Sequence, residues 1–422
     1  MRALIFLPCL WIAVCAGGCA SHDVQGCRGV QASPTSEGLE IVDRTAREVD
    51  VAQVKRLPQV DQVLGFPHPP GNYRALGPAE CQCLAARASK LGNLLDGERR
   101  ALAANESAGG GCSRTDNSLT YDVLRTAALE ARNRSAGDAL NAYYLLAQNE
   151  ARIDLVTRAL AETRQATANI ERLRQQGLKM PAEDDRFLRR EIELRDQQAQ
   201  LGGAISQLNA QLWQLIGLEP TPPQERIWPT ERLEVVVERI DVDEAVQNGL
   251  AMRPELSMLR RLRRTLDEDS LPAARAALAQ VSPLLGLAPQ SSGCGGLLGL
   301  VGALRKLHTA ERELPERRRQ LNQYAHDREL EVAAEIRLAA ETVELRLRQI
   351  AIAKESLDHL TARRGDAEAR AKSSGATFAD LTAAHLAVIQ AEGDVIEKVA
   401  AWKIAQARLK QSQGLLVAEC CP

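Results

Sequence analysis

The chain has 422 residues and a formal net charge of -2 at pH 7. Basic and acidic residues are interspersed along it, so it lacks the clustered positive charge of a nucleic-acid-binding surface, and no nucleic-acid partner is expected. Aromatic residues make up only 3% of the chain, which leaves few bulky groups to fill a globular core. The dominance of Ala, Leu, Arg, Glu and Gln is instead typical of long helices and coiled coils.

The N-terminal segment, residues 1–18, has the pattern of a secretory signal peptide. Arg2 supplies a positive charge, and the apolar run Leu4–Val14 that follows is too short to span a membrane. Three small residues directly before Cys19 resemble a bacterial lipobox, whose cysteine is acylated and becomes the mature N-terminus. An ordinary signal peptide with a cysteine near its cleavage site is the alternative. Ala20, where an aspartate would favour the inner membrane, points to the outer membrane.

Residues 19–75 are predicted to form an extended linker between the lipid anchor and the folded body. They contain five prolines and show no sustained apolar period. Beyond the signal peptide no stretch approaches the roughly 18 to 20 uninterrupted apolar residues of a membrane helix. The mature chain is therefore not expected to be a helical integral membrane protein.

Residues 76–219 are predicted to form a short opening helix, Leu76–Leu95, and then one long helical hairpin. Its tip is placed near 177–183, because Gly177 and Pro181 stop one helix and allow the next to begin. Apolar residues at heptad spacing mark the outgoing helix: Leu146, Ile153 and Leu160, with Val156 and Ile170 on a second seam. The returning helix keeps an unbroken heptad: Phe187, Leu194, Leu201, Leu208 and Leu215.

Residues 240–417 repeat this design, with an opening helix at Ile240–Leu262 and a tip near 373–380. The outgoing seam is Ile336, Val343, Ile350 and Leu357, and the returning seam is Leu381, Val388, Val395, Trp402, Leu409 and Leu416. Residues 220–239 are a proline-containing linker, and 418–422 are a C-terminal tail. The sequence thus predicts a predominantly all-α fold of two tandem coiled-coil hairpins. Such a hairpin cannot bury both faces of each helix alone, so copies of the chain must cover the rest.

Several short motifs, in this order and with the duplicated hairpin, resemble the TolC-like outer-membrane efflux family, in its outer-membrane lipoprotein branch. They are Leu215–Pro220, Asp243–Ala245, Arg253–Leu256, Asp380–Leu381 and Gln390–Glu392. The resemblance covers about three quarters of the chain, from Leu76 to Leu416. It implies a homotrimer whose long helices form a periplasmic tunnel, and hairpin tips that dock on a periplasmic adaptor and an inner-membrane transporter.

The resemblance also implies which tip residues contact the adaptor: Gly177, Leu178 and Glu183 in the first tip, and Ser374, Gly375, Thr377 and Asp380 in the second. The first tip departs from the family pattern, because Met180 and Pro181 replace its hydroxyl residue. In the second tip Ser374 stands where a glycine is usual. The detailed docking contacts are expected to differ accordingly.

Members of the family insert two strands per half into an outer-membrane barrel, and each spanning strand needs roughly 9 to 11 residues of alternating pattern. The window 105–118 is too short and polar for two such strands, and the window 281–301 is apolar but lacks alternation. We therefore predict a TolC-like protomer with little or no β-barrel.

Ten cysteines suggest disulfides, since the periplasm is oxidising. We hypothesise that Cys112 pairs with Cys294 in the equivalent loop of the other half, and that the Cys81/Cys83 region meets Cys420 and its neighbour. Unpaired cysteines are the alternative. The clusters lack the spacing and histidine companions of a zinc site, and no catalytic triad or phosphate loop is present. No metal, no cofactor and no enzymatic activity are expected.

The sequence supports two candidate functions. The first is an outer-membrane channel component of a tripartite efflux or type I secretion system, located at the periplasmic face of the outer membrane. The alternative is a non-conducting, lipid-anchored envelope scaffold that keeps the helical body without the pore. The tip residues that match the family pattern favour the channel. The strand windows, which are too short or too irregular for spanning strands, favour the scaffold.

Overall fold

The computed structural model describes residues 73–108, 114–177, 184–220, 222, 225–236, 239–267, 270–281, 299–373 and 377–420. The predicted signal peptide, Cys19 and nearly all of the predicted linker 19–75 lie outside them. Within the described residues the chain is helical except for turns, short connections and two short strands. The predicted all-α class with two helical hairpins is confirmed.

The described first half consists of four helices, α1 (Pro78–Ala88), α2 (Lys90–Ala108), α3 (Arg114–Gln175) and α4 (Asp184–Ile216). The prediction of one opening helix at Leu76–Leu95 is wrong, because the backbone of Ser89 leaves the helical conformation. The Ser89 hydroxyl then accepts a hydrogen bond from the backbone N–H of Gly92 at 3.3 Å. A serine at this position satisfies an orphan donor of the next helix and so starts α2.

The described second half consists of α5 (Val242–Met252), α6 (Pro254–Arg264), α7 (Leu271–Val281), α8 (Gly299–Lys372), α9 (Phe378–Ser412) and α10 (Leu415–Ala418). The single helix predicted at Ile240–Leu262 is also wrong. Arg253 is extended, with φ -62° and ψ 121°, because the ring of Pro254 disfavours the helical conformation in the residue before it. Asp241 caps α5 by accepting from the N–H groups of Asp243 and Glu244.

The predicted seams form the core of both hairpins. In the second hairpin every seam residue from Ile336 to Leu357 and from Val388 to Leu416 is buried, and Leu381 is half-buried. In the first hairpin Leu208 and Leu215 are half-buried and Phe187, Leu194 and Leu201 are buried. Burial of an apolar side chain contributes roughly 1.5–3 kcal/mol, so these seams hold each pair of helices together.

The four long helices pack in the order α4, α3, α9, α8. Helix α3 pairs with α4 within the first hairpin and with α9 of the second, and α9 pairs in turn with α8. Helices α4 and α8 therefore occupy the two edges of this row. This order decides which helix faces are left to a partner.

The segment predicted as a linker between the halves contains a strand that the sequence did not indicate. Strand β1 (Tyr73–Leu76) pairs in parallel with β2 (Arg226–Pro229). The Asn209 side chain on α4 accepts a hydrogen bond from the N–H of Ile227 at 2.7 Å and so positions β2. Four residues are too few to show a strand period, and the pairing joins distant parts of the chain.

Candidate functional site

The second hairpin tip is organised by Thr377 and Asp380. The Thr377 hydroxyl accepts from the Asp380 N–H at 3.2 Å, and the Asp380 carboxylate accepts from the Thr377 N–H at 3.2 Å. This reciprocal pair is a capping box, which fixes the start of α9. Hydrogen bonds from Thr377 hold the pKa of the exposed Asp380 carboxyl below its usual value. The adaptor contact predicted for these two residues stays a prediction.

The first tip begins at Gly177, whose φ of +86° lies in the left-handed region that favours glycine. Its N–H donates to the carbonyl of Arg174 at 2.9 Å and closes the end of α3. The predicted docking residues Leu178 and Glu183, and Ser374 and Gly375 of the second tip, lie outside the described residues.

A groove of about 630 Å³ runs beside both tips, between α4 and α9. Its α9 wall is made of small and apolar side chains from Ala379 to Leu386, followed by Gln390. The other wall belongs to α4 and is lined by Arg186, Phe187, Arg189, Arg190 and Glu193. Arg190 and Glu193 form an ion pair at 3.0 Å. The surface therefore combines an apolar side with a charged, hydrogen-bonding side, as an amphipathic helix of a partner would require.

Both edges of the helix row expose apolar residues. On α8, Leu338, Leu345 and Ile352 are 66%, 51% and 67% exposed, and they follow one another at heptad spacing. We call these three residues the α8 stripe. On α4, Leu188 and Ile192 are 52% and 57% exposed.

The α8 stripe lies almost opposite the buried seam of the same helix. Each stripe residue follows a buried one by two positions, as Leu338 follows Ile336, and two residues turn a helix by about 200°. A helix that is apolar on opposite faces is buried on both. The buried seam was predicted from the sequence; the α8 stripe was missed, although its heptad spacing was a signal for it.

The cysteines form one disulfide among the described residues. Cys83 of α1 is bonded to Cys420, with a Cα–Cα distance of 5.1 Å, and this agrees with the expected contact of the Cys81/Cys83 region with the C-terminus. Cys81 is a buried free thiol, and burial raises its pKa to about 12, so it stays protonated and unreactive. Cys112 and Cys294 lie outside the described residues, and their pairing stays a prediction.

The described residues contain no group of three or more His, Cys, Asp or Glu side chains able to hold a metal ion. None of the helices in the described part of the chain has the length and apolar content needed to cross a bilayer.

Comparison of the sequence with protein-family models and with curated proteins finds no match. Comparison with solved structures finds several. The CmeC outer membrane channel of Campylobacter jejuni has a TM-score of 0.53 and 11% sequence identity, over 71% of this chain. The match spans 66% of CmeC, slightly less than two thirds of its length.

Two further solved structures are similar to this chain. The open state of the MtrE outer membrane channel of Neisseria gonorrhoeae has a TM-score of 0.53 and 14% identity, over 85% of this chain and 89% of MtrE. A membrane protein from Pseudomonas aeruginosa has a TM-score of 0.51 and 16% identity, over 71% of each chain. Identities this low establish the fold alone, and the chain has the TolC-like fold of the CmeC and MtrE outer-membrane channels.

Proposed function

We propose that this chain is one subunit of a homotrimeric periplasmic conduit, the outer-membrane channel component of a tripartite efflux or type I secretion system. The observation that carries the proposal is the pair of exposed apolar edges on α4 and α8. The edge formed by α8 in one copy packs against the edge formed by α4 in the next. An interface between two different surfaces of the same chain repeats around an axis, and it closes into a ring when the rotation from one copy to the next divides a full turn. The number of three subunits comes from the TolC-like resemblance.

The conduit is held at the periplasmic face of the outer membrane through a lipid on Cys19. The apolar run of the signal peptide and the small residues before Cys19 support this attachment. Residues 20–72, up to strand β1, would then be the tether between the lipid and the helical body. Mass spectrometry of the N-terminal peptide tests the anchor directly, since an unmodified Cys19 or a cleavage elsewhere would contradict it.

The partners are a periplasmic adaptor and an inner-membrane transporter, which bind at the hairpin tips. Gly177, Leu178 and Glu183 make the contacts in the first tip, and Ser374, Gly375, Thr377 and Asp380 make them in the second. The adjacent groove between α4 and α9 supports a helical partner, because it has the apolar α9 wall and the charged α4 wall described above.

Conductance of the purified full-length protein in a planar bilayer tests the channel. We expect stepwise conductance, and greater sensitivity to toxic compounds in cells that lack the protein. A silent bilayer together with unchanged sensitivity would contradict the channel and favour the non-conducting envelope scaffold. One observation supports that alternative: α2 ends at Ala108 and α3 begins at Arg114, so these helices take up most of the first strand window, 105–118.

A further inference from the structure

His385 lies where three of the long helices meet. It belongs to α9, and its Nδ1 atom is 3.5 Å from a carboxylate oxygen of Glu162 on α3. Its Nε2 atom is 3.3 Å from a carboxylate oxygen of Glu368 on α8. The imidazole therefore stands between two carboxylates that belong to different hairpins, one at each ring nitrogen.

The protonation state of the imidazole decides whether both carboxylates can accept a hydrogen bond from it. A neutral imidazole carries one N–H, so it donates to one carboxylate and turns a lone pair towards the other. The imidazolium ion carries two N–H groups and donates to both. We propose that His385 is a proton-dependent link between the hairpins, which ties α3 and α8 across α9 when protonated and releases one of them when neutral.

The other charged groups around His385 do not replace this link. On α8, Arg364 approaches the Glu368 carboxylate at 3.5 Å, so Glu368 keeps a cation when the ring is neutral. On α3, Arg158 is paired with Glu392 of α9, which ties these two helices at every pH where both are charged. The contact from Nε2 to Glu368 is the shorter one, at 3.3 Å against 3.5 Å, and a neutral ring that donates there turns a lone pair towards Glu162. The contact to α3 is therefore the one released.

The position of the link gives it a mechanical consequence. His385 lies seven residues after Phe378, the first residue of α9, which corresponds to about 10 Å of helix, and Glu368 lies four residues before the end of α8. The link thus joins the two hairpins close to the second tip. At mildly acidic pH it restrains the separation of the hairpins there, and with rising pH the restraint weakens. This behaviour does not depend on what the conduit carries or on whether it conducts.

Hydrogen–deuterium exchange of the purified full-length protein at about pH 5.5 and about pH 8 tests the link, after correction for intrinsic exchange rates. In the native protein the peptides covering 156–168 of α3 and 378–392 of α9 are expected to exchange about threefold faster at the higher pH, the size expected of a partly exposed ion pair. His385→Gln removes this difference and gives fast exchange at both values. His385→Lys, which stays charged, gives slow exchange at both.

His359→Gln is the matched control, because His359 is an exposed histidine on α8, and this variant keeps the pH dependence of the native protein. The proposal is overturned if the native protein and His385→Gln show the same ratio of exchange rates. It is equally overturned if His359→Gln abolishes the difference. Because His385 is partly exposed, both variants are expected to fold. If the glutamine variant does not fold, the His385→Lys variant still provides the test.

Discussion

Cys83 in α1 and Cys420 near the C-terminus form a disulfide between positions 337 residues apart in the chain. The same contact is reinforced by Gln82, whose side-chain amide donates to the carbonyl of Leu416 at 2.8 Å and to Glu419 at 3.0 Å. The two ends of the described helical body are thereby fixed to each other. Neither a metal nor a reactive thiol is needed to explain these cysteines.

Removing this disulfide should destabilise the protein strongly. The variant Cys83→Ala with Cys420→Ala is expected to lose about 2–5 kcal/mol of unfolding free energy, because the crosslink restricts the unfolded chain over a very long loop. Chemical denaturation of the purified protein measures the change. Cys81→Ala is the control, since it removes a buried thiol and keeps the disulfide. Equal denaturation midpoints for the double variant and the native protein would contradict the prediction.

A charge placed in the α8 stripe should separate the subunits without unfolding them. Leu345→Glu is expected to dissociate the proposed trimer into monomers, because a carboxylate buried at a subunit interface without a partner is strongly unfavourable. Analytical ultracentrifugation measures the mass, and circular dichroism checks the helices. Leu94→Glu is the matched control, since Leu94 on α2 is 71% exposed and lies outside the row edges. A Leu345→Glu protein that keeps the native mass would exclude the stripe as the interface.

Gly217 should tolerate no side chain. Its φ is +68°, and a Cβ atom there would lie 2.5 Å from the Cβ of Ala88, so Gly217→Ala combines backbone strain with a clash. We expect a loss of at least about 2 kcal/mol in unfolding free energy, measured by urea denaturation. Gly202→Ala on α4 is the control: no described atom lies within 4 Å of the place its methyl group would take, and it should stabilise the helix by up to about 1 kcal/mol.

The Glu313 carboxylate should stabilise the folded protein at neutral pH and lose this effect at acidic pH. Hydrogen bonds from Arg275 of α7, and from Arg317, lower the pKa of the Glu313 carboxyl to about 2. A lowered pKa stabilises the fold above the ordinary carboxyl value, and this contribution disappears as the pH falls towards 2. Glu313→Gln should therefore lose about 1 kcal/mol at neutral pH, after allowance for solvent screening.

The difference between Glu313→Gln and the native protein should shrink as urea denaturation is repeated at pH values down to about 3. Glu316→Gln is the control, because the Glu316 carboxylate pairs at 3.3 Å with Arg319 on the exposed surface of the same helix. A constant difference between Glu313→Gln and the native protein across this range would refute the assignment.

The helices and the two hairpins were determined by the sequence alone. A heptad such as Phe187 to Leu215 specifies both a helix and its buried face, because side chains at these spacings share one side of the helix. The breaks at Ser89 and at Arg253–Pro254 were missed within predicted helices, although the pre-proline restriction was a local signal for the second.

The tertiary structure decided what depends on contacts between distant residues. The order of the four long helices, the pairing of β1 with β2, and the choice of Cys83 as the partner of Cys420 are of this kind. The α8 stripe shows the reason most clearly. Its heptad spacing is the same as that of the buried seam beginning at Ile336, so the sequence alone does not distinguish the two apolar faces. Only packing within the chain shows which face is buried and which is exposed.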